Sequence, residues 1–223
     1  MDNDTSLLHD LRHVTIRRAS VSEMDNNVYL ITSKDTGAQV LIDAADDVDA
    51  IRALLADAAG DSRGENRLVL IATTHRHWDH VRALRQLAFE TGAPAAAGAD
   101  DAEAITADTG VDIEVALNHG DVKDFDGFRL TAVHLRGHTP GSVALVYEDP
   151  EGPAHIFSGD SLFPGGVGNT QQDPERFRSL LADVEQRLFD AYDDAALVHP
   201  GHGGGTTLGR ERPELPLWRD RGW

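Results

Sequence analysis

From Thr74 to His80 the chain reads THRHWDH, which places three histidines and one aspartate within six residues. Imidazole nitrogen and carboxylate oxygen are the donors that zinc and its first-row neighbours accept. His75 and His77 lie two apart, directly after the apolar run LVLIA. They can meet at one ion if the backbone there is extended or turning. Asp79 and His80 follow at once and can face a second ion nearby. Two ions that close need a bridging ligand with two oxygens, which an aspartate supplies. Three more candidates share one character, a polar side chain flanked by glycine at the end of an apolar run. They are His138 in RGHTPGS, Asp160 in FSGDSLF and His202 in HPGHGGG. Glycine beside a ligand lets the backbone turn sharply and approach closely.

The elements that must position these residues follow from periodicity. VTIRRASV, NNVYLITS and AQVLIDA read as short strands between turn residues. Apolar residues at Val48, Ile51, Leu54 and Leu55 have helical spacing, and Gly60 closes the run. RLVLIATT predicts a strand buried on both faces. A helix is expected over about Asp79 to Thr91, with Asp79 and His80 in its first turn and Gly92 as its stop. A short strand and a helix follow. DIEVAL, DFDGFRLTAVHL, SVALVYED and PAHIFSG then restore a β texture. A long helix begins at Asp173-Pro174-Glu175, with proline at its first position. AALVHPG predicts a final short strand. The polar tail carries Trp218 and Trp223 and can pack on the body. No linker or repeat divides the chain, so residues 1–223 are expected to form a single α/β domain of two sheets between helices.

The 223 residues carry a formal net charge of −18. A surface this acidic argues against nucleic acid and anionic membranes, because phosphate contacts need lysine and arginine. Either a codon bias towards Ala, Arg, Asp and Gly or adaptation to salt accounts for it. There is no cysteine, which excludes disulfides, thiolate ligands and a cysteine nucleophile. The N-terminus lacks the basic and apolar regions of a secretory signal, and no apolar stretch reaches the length of about 18 residues needed for a membrane span. The expected setting is cytoplasmic, the expected partner a small-molecule substrate, and the oligomeric state is left open.

THRHWDH, GHTPGS, GDSLF and PGHGGGTT, in this order from about Asn27 to Thr207, resemble the successive motifs of the metallo-β-lactamase superfamily, and most closely its glyoxalase II-like branch. The resemblance implies an αββα four-layer sandwich with the site at one edge. It implies that His75, His77 and His138 hold one metal, that Asp79, His80 and His202 hold a second, and that Asp160 bridges them. Asp43 in VLIDA matches an aspartate expected to support a ligand rather than bind metal. Two divalent ions are implied, zinc first, with iron or manganese also compatible with a His/Asp set. Such a pair lowers the pKa of a shared water to about 7, so that hydroxide can attack a carbonyl while a metal polarises its oxygen. Asp79 would orient the hydroxide. The expected reaction is hydrolysis of a thioester, ester or lactone of a small metabolite.

The main alternative is an oxidoreductase on the same scaffold, a mononuclear-iron persulfide dioxygenase. A nuclease is disfavoured by charge. The bridging Asp160 and the absent secretory signal disfavour β-lactam hydrolysis as the main role. A non-catalytic binding protein would be expected to have lost ligand positions, and all seven are filled. Among the other histidines, His134 and His199 are expected to support or pack rather than ligate. His9, His13, His119 and His155 are expected at the surface or in turns. Trp78 either lines the pocket or packs in the core. GGVGNT, residues 165–170, is either a loop over the substrate or a turn.

Overall fold

The computed structural model describes residues 6–222. Seven strands form the first sheet, in the order β1-β2-β3-β4-β5-β6-β7. They are β1 (Ser6–Asp10), β2 (Val14–Val21), β3 (Asn26–Ser33), β4 (Ala38–Ile42), β5 (Arg67–Thr73), β6 (Ala95–Gly98) and β7 (Ile113–Leu117). β1 to β4 run antiparallel as a meander, while β4 to β7 are parallel. Parallel neighbours need a crossover. α1 (Val48–Asp57), α2 (Leu84–Thr91) and α3 (Ala99–Thr109) supply it, with Gly92 and Gly110 closing the last two.

The second sheet has the order β15-β14-β11-β10-β9-β8. Its strands are β8 (Val122–Asp124), β9 (Arg129–His134), β10 (Val143–Glu148), β11 (Ala154–Gly159), β14 (Leu197–Pro200) and β15 (Thr206–Thr207). A small hairpin of β12 (Leu162–Phe163) and β13 (Gly166–Val167) stands beside it. Only β11 and β14 are parallel, and α4 (Pro174–Val184) lies in their crossover. Asp173 caps α4 by accepting from the amides of Glu175 and Arg176, as its sequence predicts. Two short helices follow, α5 (Leu208–Glu211) and α6 (Leu215–Arg221), and α6 buries Trp218. Trp223 lies outside the described residues.

Alternation along the strands sorts the apolar side chains into three cores. Leu30, Leu41 and Ile71 face Ile51, Leu54 and Leu84 of the first helices. Ile31, Val40 and Ile42 meet Leu145, Tyr147 and Phe157 between the sheets. Val146, Ile156 and Val198 meet Phe177, Leu180 and Leu181 of α4. Three cores separate four layers, helix, sheet, sheet, helix, and the αββα sandwich expected from the sequence is present. Among the described residues no helix is long and apolar enough to cross a membrane.

The structure corrects two expectations and adds an element. The helix expected from Asp79 to Thr91 is instead a 3-10 turn, Trp78–His80, followed by a break and then α2 from Leu84. The amides of Arg82 and Ala83 donate to the carbonyls of Ala45 and Ala44 rather than along a helix, which holds Asp79 and His80 in a separate tight turn. The N-terminal segment supplies an edge strand, β1, which its polar composition hid. His155, expected at the surface or in a turn, is fully buried in β11.

Candidate metal centre

Seven side chains converge at one edge of the two sheets. The loop after β5 brings His75 and His77, and the 3-10 turn brings Asp79 and His80. The loop after β9 brings His138, the end of β11 brings Asp160, and the end of β14 brings His202. Every residue singled out from the motifs arrives at this edge. His75 Nε2 lies 3.1 Å from His77 Nδ1, which lies 2.9 Å from His138 Nε2. His80 Nε2 and His202 Nε2 are 3.2 Å apart. Asp79 Oδ2 stands 3.6 Å from the first of these two nitrogens and 3.3 Å from the second. Two trios, His75/His77/His138 and Asp79/His80/His202, each have their donor atoms within 4.8 Å of one another, and a third group, His75/His80/Asp160, overlaps both.

Asp160 lies between the trios. Its Oδ1 is 3.4 Å from His80 Nε2, and its Oδ2 is 3.4 Å from His202 Nε2 and 3.7 Å from His138 Nε2. Asp160 Oδ1 is buried and accepts no hydrogen bond. A buried carboxylate oxygen without a donor is costly, and a cation beside it removes that cost. The donor set is imidazole and carboxylate only, which suits zinc, iron or manganese.

Outer contacts turn the ring lone pairs inward. His80 Nδ1 meets Asp43 Oδ2 at 2.9 Å, His138 Nδ1 meets the Asn169 carbonyl at 2.7 Å, and His202 Nδ1 meets the Met24 carbonyl at 2.8 Å. The Thr74 hydroxyl donates to Asp43 Oδ2 at 2.8 Å, so its oxygen is left to accept from His75 Nδ1, 3.1 Å away. Each outer N–H is thereby spent, and each Nε2 faces the centre, where the neutral ring can offer its lone pair. Asp43 therefore supports a ligand, as the sequence predicts. The GGVGNT segment is a brace for His138 through Asn169. Trp78 is neither core nor wall: it is 58% exposed, with the Arg82 guanidinium stacked 3.7 Å from its ring centre.

The electrostatics separate the trios. Burial, reinforced by neighbouring imidazoles, holds His75 well below its ordinary value and pushes His138 down to about 4. Burial also opposes charge on His80, but Asp43 and Asp160 outweigh it and raise the ring to about 10. Hydrogen bonds to the carboxylates of Asp160 and Asp79 raise His202 to about 10. Burial favours the neutral acid at Asp79 and Asp160, yet His202, together with Asn26 for the first and His80 for the second, holds both well below the usual carboxylate range.

Two supports are invisible in the motifs. Asn26 Nδ2 donates to Asp79 Oδ2 at 3.0 Å; the asparagine pair opening an otherwise apolar strand is its sole signal. Asp101, fully buried near the start of α3, ties the two ligand loops together. It accepts from the Arg76 amide at 3.1 Å, from the Gly141 amide at 2.9 Å and from the Thr139 hydroxyl. In sequence it looks like an ordinary acidic residue at a helix start. Close packing completes the floor. A Cβ on Gly201 would stand 2.3 Å from Asp160 Oδ1 and 2.7 Å from the His80 ring.

Comparison with known proteins agrees with this geometry. The family model of the metallo-beta-lactamase superfamily matches residues 21–205. Hydroxyacylglutathione hydrolase GloC of Haemophilus influenzae is 29% identical over 169 residues, covering 67% of this chain and 76% of that protein. Hydroxyacylglutathione hydrolase of Methylococcus capsulatus is 34% identical over 182 residues, covering 76% of this chain but 62% of its own length. The solved structure of TTHA1623 in a di-iron-bound form is 32% identical with a TM-score of 0.69, covering 90% of this chain and 98% of that one. This chain belongs to the metallo-beta-lactamase superfamily, in its glyoxalase II-like branch, and is a metal-dependent hydrolase.

Proposed function

We propose that the chain hydrolyses a thioester, or an ester or lactone, of a small metabolite, with two divalent ions held by the two trios and bridged by Asp160. Zinc is the first choice of metal. The observation that carries this reading is the position of Asp160, with one carboxylate within 3.4 Å of both His80 and His202, 3.7 Å from His138, and an unpartnered buried oxygen. The relatives named as hydroxyacylglutathione hydrolases support the thioester, and the di-iron form of TTHA1623 supports the pair of ions.

Ions held there would supply Lewis acidity and would lower the pKa of a bound water to about 7. The protein's own residues do the rest. Asp79 stays ionised and is fixed by Asn26, so it is an oriented acceptor that aims a water's hydrogen rather than a store for protons. The outer contacts from Asp43, Thr74, Asn169 and Met24 hold the imidazoles still. A cavity of ≈ 530 Å³ beside His77 and His138 is of the size that takes a small metabolite. Arg76, Arg136, Arg176 and Glu175 line it, with Arg136 paired to Asp183 and Arg176 donating to the carbonyls of Gly137 and His138.

The test is a metal-loaded sample assayed against thioesters, lactones and persulfides. Turnover of a thioester or lactone is expected, with loss of activity in EDTA and recovery on adding zinc. Asp160→Ala is expected to lower metal content and rate together. Full activity in metal-free protein would sink the reading. One iron per chain with oxygen uptake on a persulfide would replace it with the oxidoreductase.

A further inference from the structure

A second group of imidazoles lies outside these trios. His9 on β1, His155 on β11 and His199 on β14 each present a ligand-capable nitrogen, all within 4.8 Å of one another. Strand register explains how they meet. His155 and Phe157 alternate on one face of β11, and His199 pairs with Phe157, so both histidines face the interlayer core that holds Phe157. His9 belongs to the other sheet. The register of β1 against β2 slips between Leu7 and His9, which sets His9 opposite Ile16, another interlayer residue. Bulges of this kind re-aim a side chain and recur beside functional sites. His9 thus crosses from one sheet to the other, with its ring centre 4.6 Å from that of His155 and 5.4 Å from that of His199.

The hydrogen-bond accounting is incomplete without a further group. His155 Nδ1 and His199 Nε2 stand 3.0 Å apart and share one proton. His155 is 0% exposed, and its Nε2 has no partner. Buried imidazole nitrogens are rarely left so. A cavity of ≈ 350 Å³, lined in part by His9, Arg18, Tyr29, His199 and Arg210, opens onto the cluster and gives a path from solvent.

We infer that His9, His155 and His199 form a further metal site, separate from the two trios, which takes one imidazole-preferring ion such as Zn²⁺ or Cu²⁺. With no carboxylate or thiolate in the set, Mg²⁺ and Ca²⁺ are poor candidates. Three histidines leave a fourth position open. That position suits a water or a small anion. Burial holds all three rings towards the neutral, ligating form, with His155 pushed down to about 4. The ion joins the edge strand of the first sheet to two strands of the second, so its role is to fasten β1.

The test uses full-length protein stripped with EDTA, then saturated with Zn²⁺ and crystallised. Anomalous scattering at the zinc edge is expected to show a peak among His9, His155 and His199 in addition to those of the main site. His9→Gln, at a partly exposed position on an edge strand, is expected to carry one zinc fewer per chain than the wild type by elemental analysis. The comparison counts a difference and holds whatever the main site binds. Saturated crystals with no zinc peak at the cluster, or equal zinc in the wild type and His9→Gln, overturn the inference.

Discussion

The relay from Asp43 through the Thr74 hydroxyl to His75, with its branch to His80, shows how one carboxylate fixes rings in both trios. Asp43 sits at φ 60°, a left-handed conformation that asparagine also tolerates. Asp43→Asn therefore keeps the backbone but replaces the acceptor facing His80. Zinc affinity, measured by competition with a chelator, is expected to fall by about 10–100-fold, with the fold intact by circular dichroism. All seven converging side chains were legible in the sequence, because HxHxDH and three glycine-flanked polar residues state their chemistry locally. Asp101 was not. Its work is done on the backbone of loops far away in sequence, and nothing beside it records that.

At the scale of elements, the strands and α4 follow their periodicity and caps, and the departures have tertiary causes. The sequence from Asp79 onward has helical apolar spacing, but the carbonyls of Ala44 and Ala45, just after β4, capture the amides of Ala83 and Arg82 and delay the helix to Leu84. Propensity gives way to a neighbouring strand end. β1 and the burial of His155 were hidden for a related reason. A histidine in a strand reads as polar until its partners across the sandwich are known. Close approach between loops is likewise a property of the assembled edge. Gly201→Ala would drive a methyl against Asp160 and His80. It is expected to destabilise the protein by about 1–3 kcal/mol in chemical denaturation and to reduce bound metal in the same preparation.

For the whole molecule, the buried histidines give the metal-free protein a stability maximum near neutrality. His138 and His155 titrate at about 4 in the fold against an ordinary 6.5, and His75 and His199 are also lowered. The unfolded chain takes up these protons first, so stability falls as pH drops from 6.5 towards 4. His80 and His202 are raised to about 10, so the stability they contribute is complete below 6.5 and is lost as pH rises towards 10. Thermal melts across pH are expected to trace a dome centred near 6.5. A metal bound there would replace the protons on His80 and His202, and the alkaline limb should then flatten. The four layers were legible from the order of strands and helices. The division of the site between the sheets has one more consequence. Four of its seven side chains follow β5 in the first sheet, and His138, Asp160 and His202 belong to the second. A metal held by side chains from both halves would tie the sheets together at this edge, and parting the sheets would break its coordination. Metal loading should therefore slow amide exchange in both β5 and β11.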